Sequence, residues 1–162
     1  MFDKLVVETN ILYSFFWKNS PTHDVFSSIV EYDLIAPIFT FDELNKHKEE
    51  ILFQSKIKTN EFNELMESLS ILVEFVKESE YIKFINEAKS LFPKHLKDVD
   101  FFALALKFNC PLWSNERLHK KQSKVKVFNT DEIRELLGSE RNSKSEARLG
   151  SKAKDPASED SK

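Results

Sequence analysis

The 162-residue chain carries 24 Lys and Arg against 27 Asp and Glu, a formal charge of −3, with 41% hydrophobic and 31% charged residues. That length suffices for one domain with a sizeable core, and the near-balanced charge excludes a whole-molecule pull toward nucleic acid or membrane, so any such binding needs a local patch. The single cysteine, Cys110, excludes an internal disulfide, and confinement of both glycines to positions 138 and 150 excludes Gly-rich phosphate loops from residues 1–137.

The apolar run Leu5-Val6-Val7 predicts a strand over 4–7, and residues 11–17 a helix that ends at Asn19-Ser20-Pro21. A second helix follows over 24–30, and a short strand over 34–36. Thr40-Phe41-Asp42-Glu43 has the pattern of a capping box opening a helix to about Gln54. Residues 60–69 read as a helix, and the β-branched run 71–76 as a strand. Ser79 is placed to cap a helix over 80–92, which Pro93 stops, and Asp98 to open one through Phe108. Asn109 is expected to end that helix in the left-handed conformation. Leu112-Trp113 and 125–128 complete the strands, and Thr130 caps a last helix over 131–137. From Gly138 to Lys162 there is no aromatic residue and Leu149 is the only large aliphatic, so 138–162 is expected to be a disordered polar tail behind a domain of residues 1–137. Glu8 interrupts the N-terminal apolar stretch before signal-peptide length, and no run approaches a membrane span; a cytoplasmic protein without membrane contact is expected.

Short apolar strands alternating with helices predict an α/β fold, a parallel sheet covered by helices on both faces. Open sheets of this kind bind ligands outside the carboxyl ends of their strands. Acids gather at such positions: Glu8 after the first strand, Glu43 one helical turn beyond the second, Asp98 at a helix start, and Glu116 after Leu112-Trp113. Carboxylates sharing one sheet edge repel each other, and a divalent cation is the usual compensation; oxygen ligands suit Mg²⁺ or Mn²⁺. His23, His47, His95 and His119 show no metal-ligand spacing. Local roles compete for three of the acids: Glu43 as the capping-box partner of Thr40, Asp98 as an N-cap, Glu116 as a first-turn acid.

Leu5-Val6-Val7-Glu8-Thr9-Asn10-Ile11-Leu12 resembles the opening of PIN-domain proteins, an aliphatic run followed by Asp-x-Asn. Phe41-Asp42-Glu43-Leu44 resembles their second motif, Asp98-Val99-Asp100-Phe101-Phe102-Ala103 the third, and Leu112-Trp113-Ser114-Asn115-Glu116 the fourth, normally Ser/Thr-x-Asp. The resemblance covers residues 2–137. It implies a three-layer α/β/α fold with a parallel, about five-stranded sheet, and a Mg²⁺- or Mn²⁺-dependent endoribonuclease acting on single-stranded RNA. In the family this activity serves toxins held by an antitoxin, or RNA processing. The resemblance makes Glu8, Glu43, Asp98 and Glu116 the catalytic metal ligands, with Asp100 replacing or supplementing Asp98, and Asn10 and Ser114 orienting ligands from behind.

The first and fourth acids depart from the family in being Glu. The extra methylene moves each carboxylate by about 1.5 Å, and a misplacement of about 1 Å can cost on the order of 10²-fold in rate. The competing reading is therefore a PIN-like module that binds RNA or protein without cutting. A receiver-like phospho-acceptor domain is disfavoured, because the strand 71–76 ends in Lys77-Glu78 with no acceptor Asp. Arg117, Lys120, Lys121, Lys124 and Lys126 form a basic run after the fourth acid, with Lys46 and Lys48 adding to it; it is either an RNA-backbone contact or a solvated face. Tyr13, Phe16 and Trp17 fit core packing, or else a stacking platform or homodimer surface. Cys110, beside Pro111, is expected to be buried and inert.

Overall fold

A computed structural model describes residues 2–152. The central sheet has five parallel strands: β1 (Lys4–Val7), β2 (Asp33–Pro37), β3 (Val73–Val76), β4 (Leu112–Trp113) and β5 (Val127–Phe128). Their order is β3-β2-β1-β4-β5. The chain winds outward from β1 through β2 to β3, then crosses back to place β4 on the other side of β1, in register Val6 with Leu112 and Val7 with Trp113. The order therefore reverses between β1 and β4, which opens a crevice at their carboxyl ends.

Period-two alternation divides the strand side chains between two cores. Leu5 and Val7 of β1, Leu34 and Ala36 of β2, and Trp113 of β4 face one; Val6, Ile35 and Leu112 face the other. The first core is closed by α1 (Thr9–Ser14), α2 (Pro21–Ser28), α3 (Phe39–Lys46), α4 (Lys48–Ser55), α5 (Thr59–Leu72) and α9 (Thr130–Lys152). The second is closed by α6 (Glu78–Tyr81), α7 (Ile85–Leu91) and α8 (Val99–Phe108). Alanines 103 and 105 let α8 lie close to the sheet, and Asn109 ends it in the left-handed region at φ 47° and ψ 50°, as its sequence predicts.

Several local expectations are corrected. The Thr40 capping box does not form: Thr40 Oγ1 donates to the Pro37 carbonyl at 2.7 Å, and α3 begins at Phe39 with no side-chain cap. This frees Glu43 from a capping role, and the predicted single helix breaks at His47 into α3 and α4. Ser20 and Pro21 do not merely end a helix but start α2, with Ser20 Oγ accepting from the His23 amide at 3.0 Å. Ile71 and Leu72 are the last turn of α5, not strand. The segment 80–92 is interrupted by a 3-10 turn over Ile82–Phe84, and Ser79 lies inside α6 without capping it. Finally, α9 continues past Leu137 to Lys152. Composition alone missed the contacts that hold its extension: Arg141 Nε and Nη2 reach Glu31 Oε1 and the Ser28 carbonyl, both at 3.0 Å, and Tyr32 donates to Glu140. The remainder of the predicted tail, 153–162, lies outside the described residues.

The loop after β4 is fixed by buried Thr130. Its hydroxyl accepts from Trp113 Nε1 at 3.1 Å and donates to Asn115 Oδ1 at 3.0 Å. Thr130→Val keeps the shape but strands the indole N–H, while Asn115 Oδ1 keeps only the Thr130 amide at 2.8 Å, so it is expected to cost about 1–3 kcal/mol in urea unfolding. A midpoint unchanged from wild type would show that this network contributes nothing.

Candidate functional site

Glu8 directly follows β1 and caps the N-terminus of α1, where its Oε2 accepts from the Asn10 amide at 3.1 Å. Because β1 is the central strand, Glu8 is almost fully buried, 4% exposed. Burial is the main force pushing its carboxyl up to about 7, with the negative charges of Glu116 and Asp98 adding to it and the Asn10 amide and His119 opposing it.

The loop after β4 supplies the opposite wall. Ser114 is buried there, and its Oγ accepts from the Glu116 amide at 3.1 Å. Glu116 Oε1 accepts from Asn10 Nδ2 at 3.2 Å. Asn10 thus touches both glutamates, one with its backbone and one with its side chain. Asp98 reaches the same place from the start of α8, where its side chain makes no capping bond and is free to face the crevice. Asp100 follows two residues on, in the first turn of α8, and the buried Tyr81 hydroxyl donates to its Oδ2 at 2.7 Å. Burial and the Asp100 carboxylate keep the Tyr81 phenol well above its ordinary value.

All five predicted acids, Glu8, Glu43, Asp98, Asp100 and Glu116, line one cleft of about 620 Å³. The cleft sits at the reversal between β1 and β4, so the topology assembles the site. Glu43 comes from α3, with its Oε2 3.3 Å from His47 Nε2. Lys97 also lines the cleft and went unrecognised in the sequence.

His119 was missed as well. It lies on a 3-10 turn over Arg117–Lys121 and is 0% exposed. Its Nδ1 is 2.7 Å from Ser114 Oγ, and its Nε2 is 3.1 Å from Asp98 Oδ2 and 3.4 Å from Glu116 Oε2. These two contacts are ion pairs, and the buried Nε2 makes no geometrically complete hydrogen bond with either carboxylate. Burial pulls the imidazole down, but Asp98, Glu116 and Glu8 together hold it above its ordinary value. The available signal was its spacing three residues after Glu116; spacing among histidines alone could not show it.

The basic run is only partly free. Lys120 pairs with Glu132, Lys124 with Glu87 at 2.9 Å, and Lys126 lies over the Phe128 ring. Arg117 and Lys121 are exposed and have no partner among the described residues. Phe16 is buried, and Tyr13 and Trp17 are half-buried against the same core, so these aromatics pack rather than form an open platform. Cys110 is buried, and burial pushes its thiol up to about 12, as expected of an inert cysteine.

The family model of the PIN domain matches residues 6–137. The chain belongs to the PIN-domain family. A comparison with curated proteins finds no match. PIN domains have a nuclease-like fold and are generally metal-dependent. This one offers a suitable place: ligand atoms of Asp98, Glu116 and His119 lie within 4.8 Å of one another. An unpartnered buried nitrogen between two carboxylate oxygens is a donor set that a divalent cation would satisfy. Among the described residues, no helix is long and apolar enough to cross a membrane.

Without metal, the site makes stability fall with pH. Folding favours the protonated form of Glu8, so its contribution is full below the ordinary value of 4.5 and is lost as pH rises through about 7. His119, also raised, acts in the same direction. Denaturant unfolding in chelator is expected to show a loss of roughly 3 kcal/mol from the ionisation of Glu8 across that window, flattened in Glu8→Gln. Equal stability of the wild type at pH 5 and pH 8 would contradict the burial of a strained carboxylate.

Proposed function

We propose that the protein is a divalent-metal-dependent endoribonuclease acting on single-stranded RNA. The observation that carries this reading is the convergence of five carboxylates on one cleft at the strand-order reversal. Glu8, Glu43, Asp98 and Glu116 would hold Mg²⁺ or Mn²⁺, with Asp100 beside Asp98. A bound ion would supply Lewis-acid polarisation of the scissile phosphate and a water of lowered pKa.

The chain's own part is to position and attract. Asn10 fixes Glu8 and Glu116 relative to each other, Ser114 fixes the loop that carries Glu116, and Tyr81 fixes Asp100. Lys97 on the cleft wall, with Arg117 and Lys121 exposed beyond Glu116, would draw the phosphate backbone toward the acids. The two glutamates argue for retained activity rather than decay. Each longer arm has a specific partner, as an abandoned site would not require. A toxin role is the narrower form of this reading, and needs an antitoxin or other protein partner that silences the cleft.

Purified protein should cleave a generic single-stranded RNA with Mn²⁺ or Mg²⁺, stop in EDTA, and be inactive as the Glu43→Ala, Asp98→Ala double variant. A folded wild type that binds RNA but cuts none of several substrates with either metal would turn the reading to a non-catalytic RNA-binding module. Separately, Arg117→Ala with Lys121→Ala should weaken RNA binding evenly across sequences and lower the salt slope by about 1.4 if each side chain neutralises one phosphate. An unchanged slope in a filter-binding series would remove these two residues from the RNA path.

A further inference from the structure

We propose that His119 is a nitrogen ligand of the metal site and gives a transition-metal ion such as Mn²⁺ an advantage over Mg²⁺. The proposal rests on the metal-dependent reading above and goes beyond its all-carboxylate ligand set.

Three observations support it. His119 is fully buried, yet its Nε2 lacks a hydrogen-bond partner while facing Asp98 and Glu116. Buried polar atoms are nearly always hydrogen-bonded, so a buried nitrogen that meets two carboxylates by ion-pair contact without a hydrogen bond points to a cation that completes the group. The far side of the ring is anchored: Nδ1 meets Ser114 Oγ at 2.7 Å, and that hydroxyl is itself fixed by the Glu116 amide. Metal-ligating histidines are held in this way, their second nitrogen bonded to an oxygen that sets tautomer and ring orientation. Phe102 packs edge-on at 5.3 Å between centroids and Phe92 lies at 6.2 Å, so the imidazole is confined to this orientation.

The donor type then sets the preference. Mg²⁺ is a hard ion that keeps oxygen ligands and water, whereas imidazole suits first-row transition ions. A site with one nitrogen among carboxylates discriminates in favour of the latter. The opposing account makes His119 an ion-pair strut that neutralises Asp98 and Glu116 without touching a metal.

Pulsed EPR of Mn²⁺ bound to the full chain, prepared with ¹⁴N- and with ¹⁵N-histidine, separates them. The expected result is a directly coordinated nitrogen signal that changes isotope pattern with the label. It should survive in His47→Gln, which removes the imidazole beside Glu43, and vanish in His119→Gln. Competition titration should show Mn²⁺ at least about tenfold tighter than Mg²⁺, with that ratio collapsing in His119→Gln. If His119→Gln does not fold, the labelled wild type and His47→Gln still decide. Bound Mn²⁺ without histidine coupling overturns this proposal and leaves the metal reading standing. No Mn²⁺ binding at all overturns both.

Discussion

Everything at this site follows from the cost of holding several carboxylates together. Glu8 cannot move away, because it directly follows the central strand and its backbone amide is bonded to the Trp113 carbonyl of β4. Its burial removes the water that would otherwise screen it. Asp98 and Glu116 are then brought up from α8 and from the loop after β4, adding like charge to a group that already resists ionising. Folding energy from the two apolar cores is what forces this approach. The site is therefore a place where the fold works against local electrostatics, as active sites commonly do.

The neighbouring polar groups make sense as restraints on that conflict. Asn10 offers two N–H donors to two different acids, and Ser114 joins the Glu116 backbone to the His119 ring. His119 brings the nearest compensating charge, since its contacts with Asp98 and Glu116 favour the imidazolium when no metal is present. In that state the imidazolium partly occupies the electrostatic role of a cation. Only one nitrogen of the ring is engaged by hydrogen bonding, so the compensation is incomplete.

The sheet and the acids were legible because both rest on strong local signals. Aliphatic runs at 4–7 and 34–36 with helical segments between them admit little but parallel strands, and an acid at the end of a buried strand has few innocent explanations. What escaped the sequence depended on distant partners. Thr40 has the pattern of a capping box, yet its hydroxyl finds the Pro37 carbonyl instead. The extension of α9 looks like a polar tail until Arg141 meets Glu31 and Tyr32 meets Glu140. Lys120 and Lys124 read as free cations until Glu132 and Glu87 appear beside them. His119 was invisible for the same reason: its ring packs on Phe92 and Phe102, which come from the end of α7 and from α8, earlier in the chain.

The two glutamates can be judged by what surrounds them rather than by what the family usually has. Shortening Glu116 by one methylene would withdraw its carboxylate by about 1.5 Å. Its contacts to Asn10 Nδ2 at 3.2 Å and His119 Nε2 at 3.4 Å would then open beyond hydrogen-bond or ion-pair range. The imidazole would be left with Asp98 alone. The longer arm at 116 thus allows one carboxylate to meet both Asn10 and the buried imidazole of His119. Length at position 8 fits the same arrangement, since the Glu8 arm turns back to the Asn10 amide while that residue's side chain engages Glu116. The two glutamates are coupled to each other through Asn10 and to the buried imidazole through Glu116, so they form one connected arrangement at the cleft.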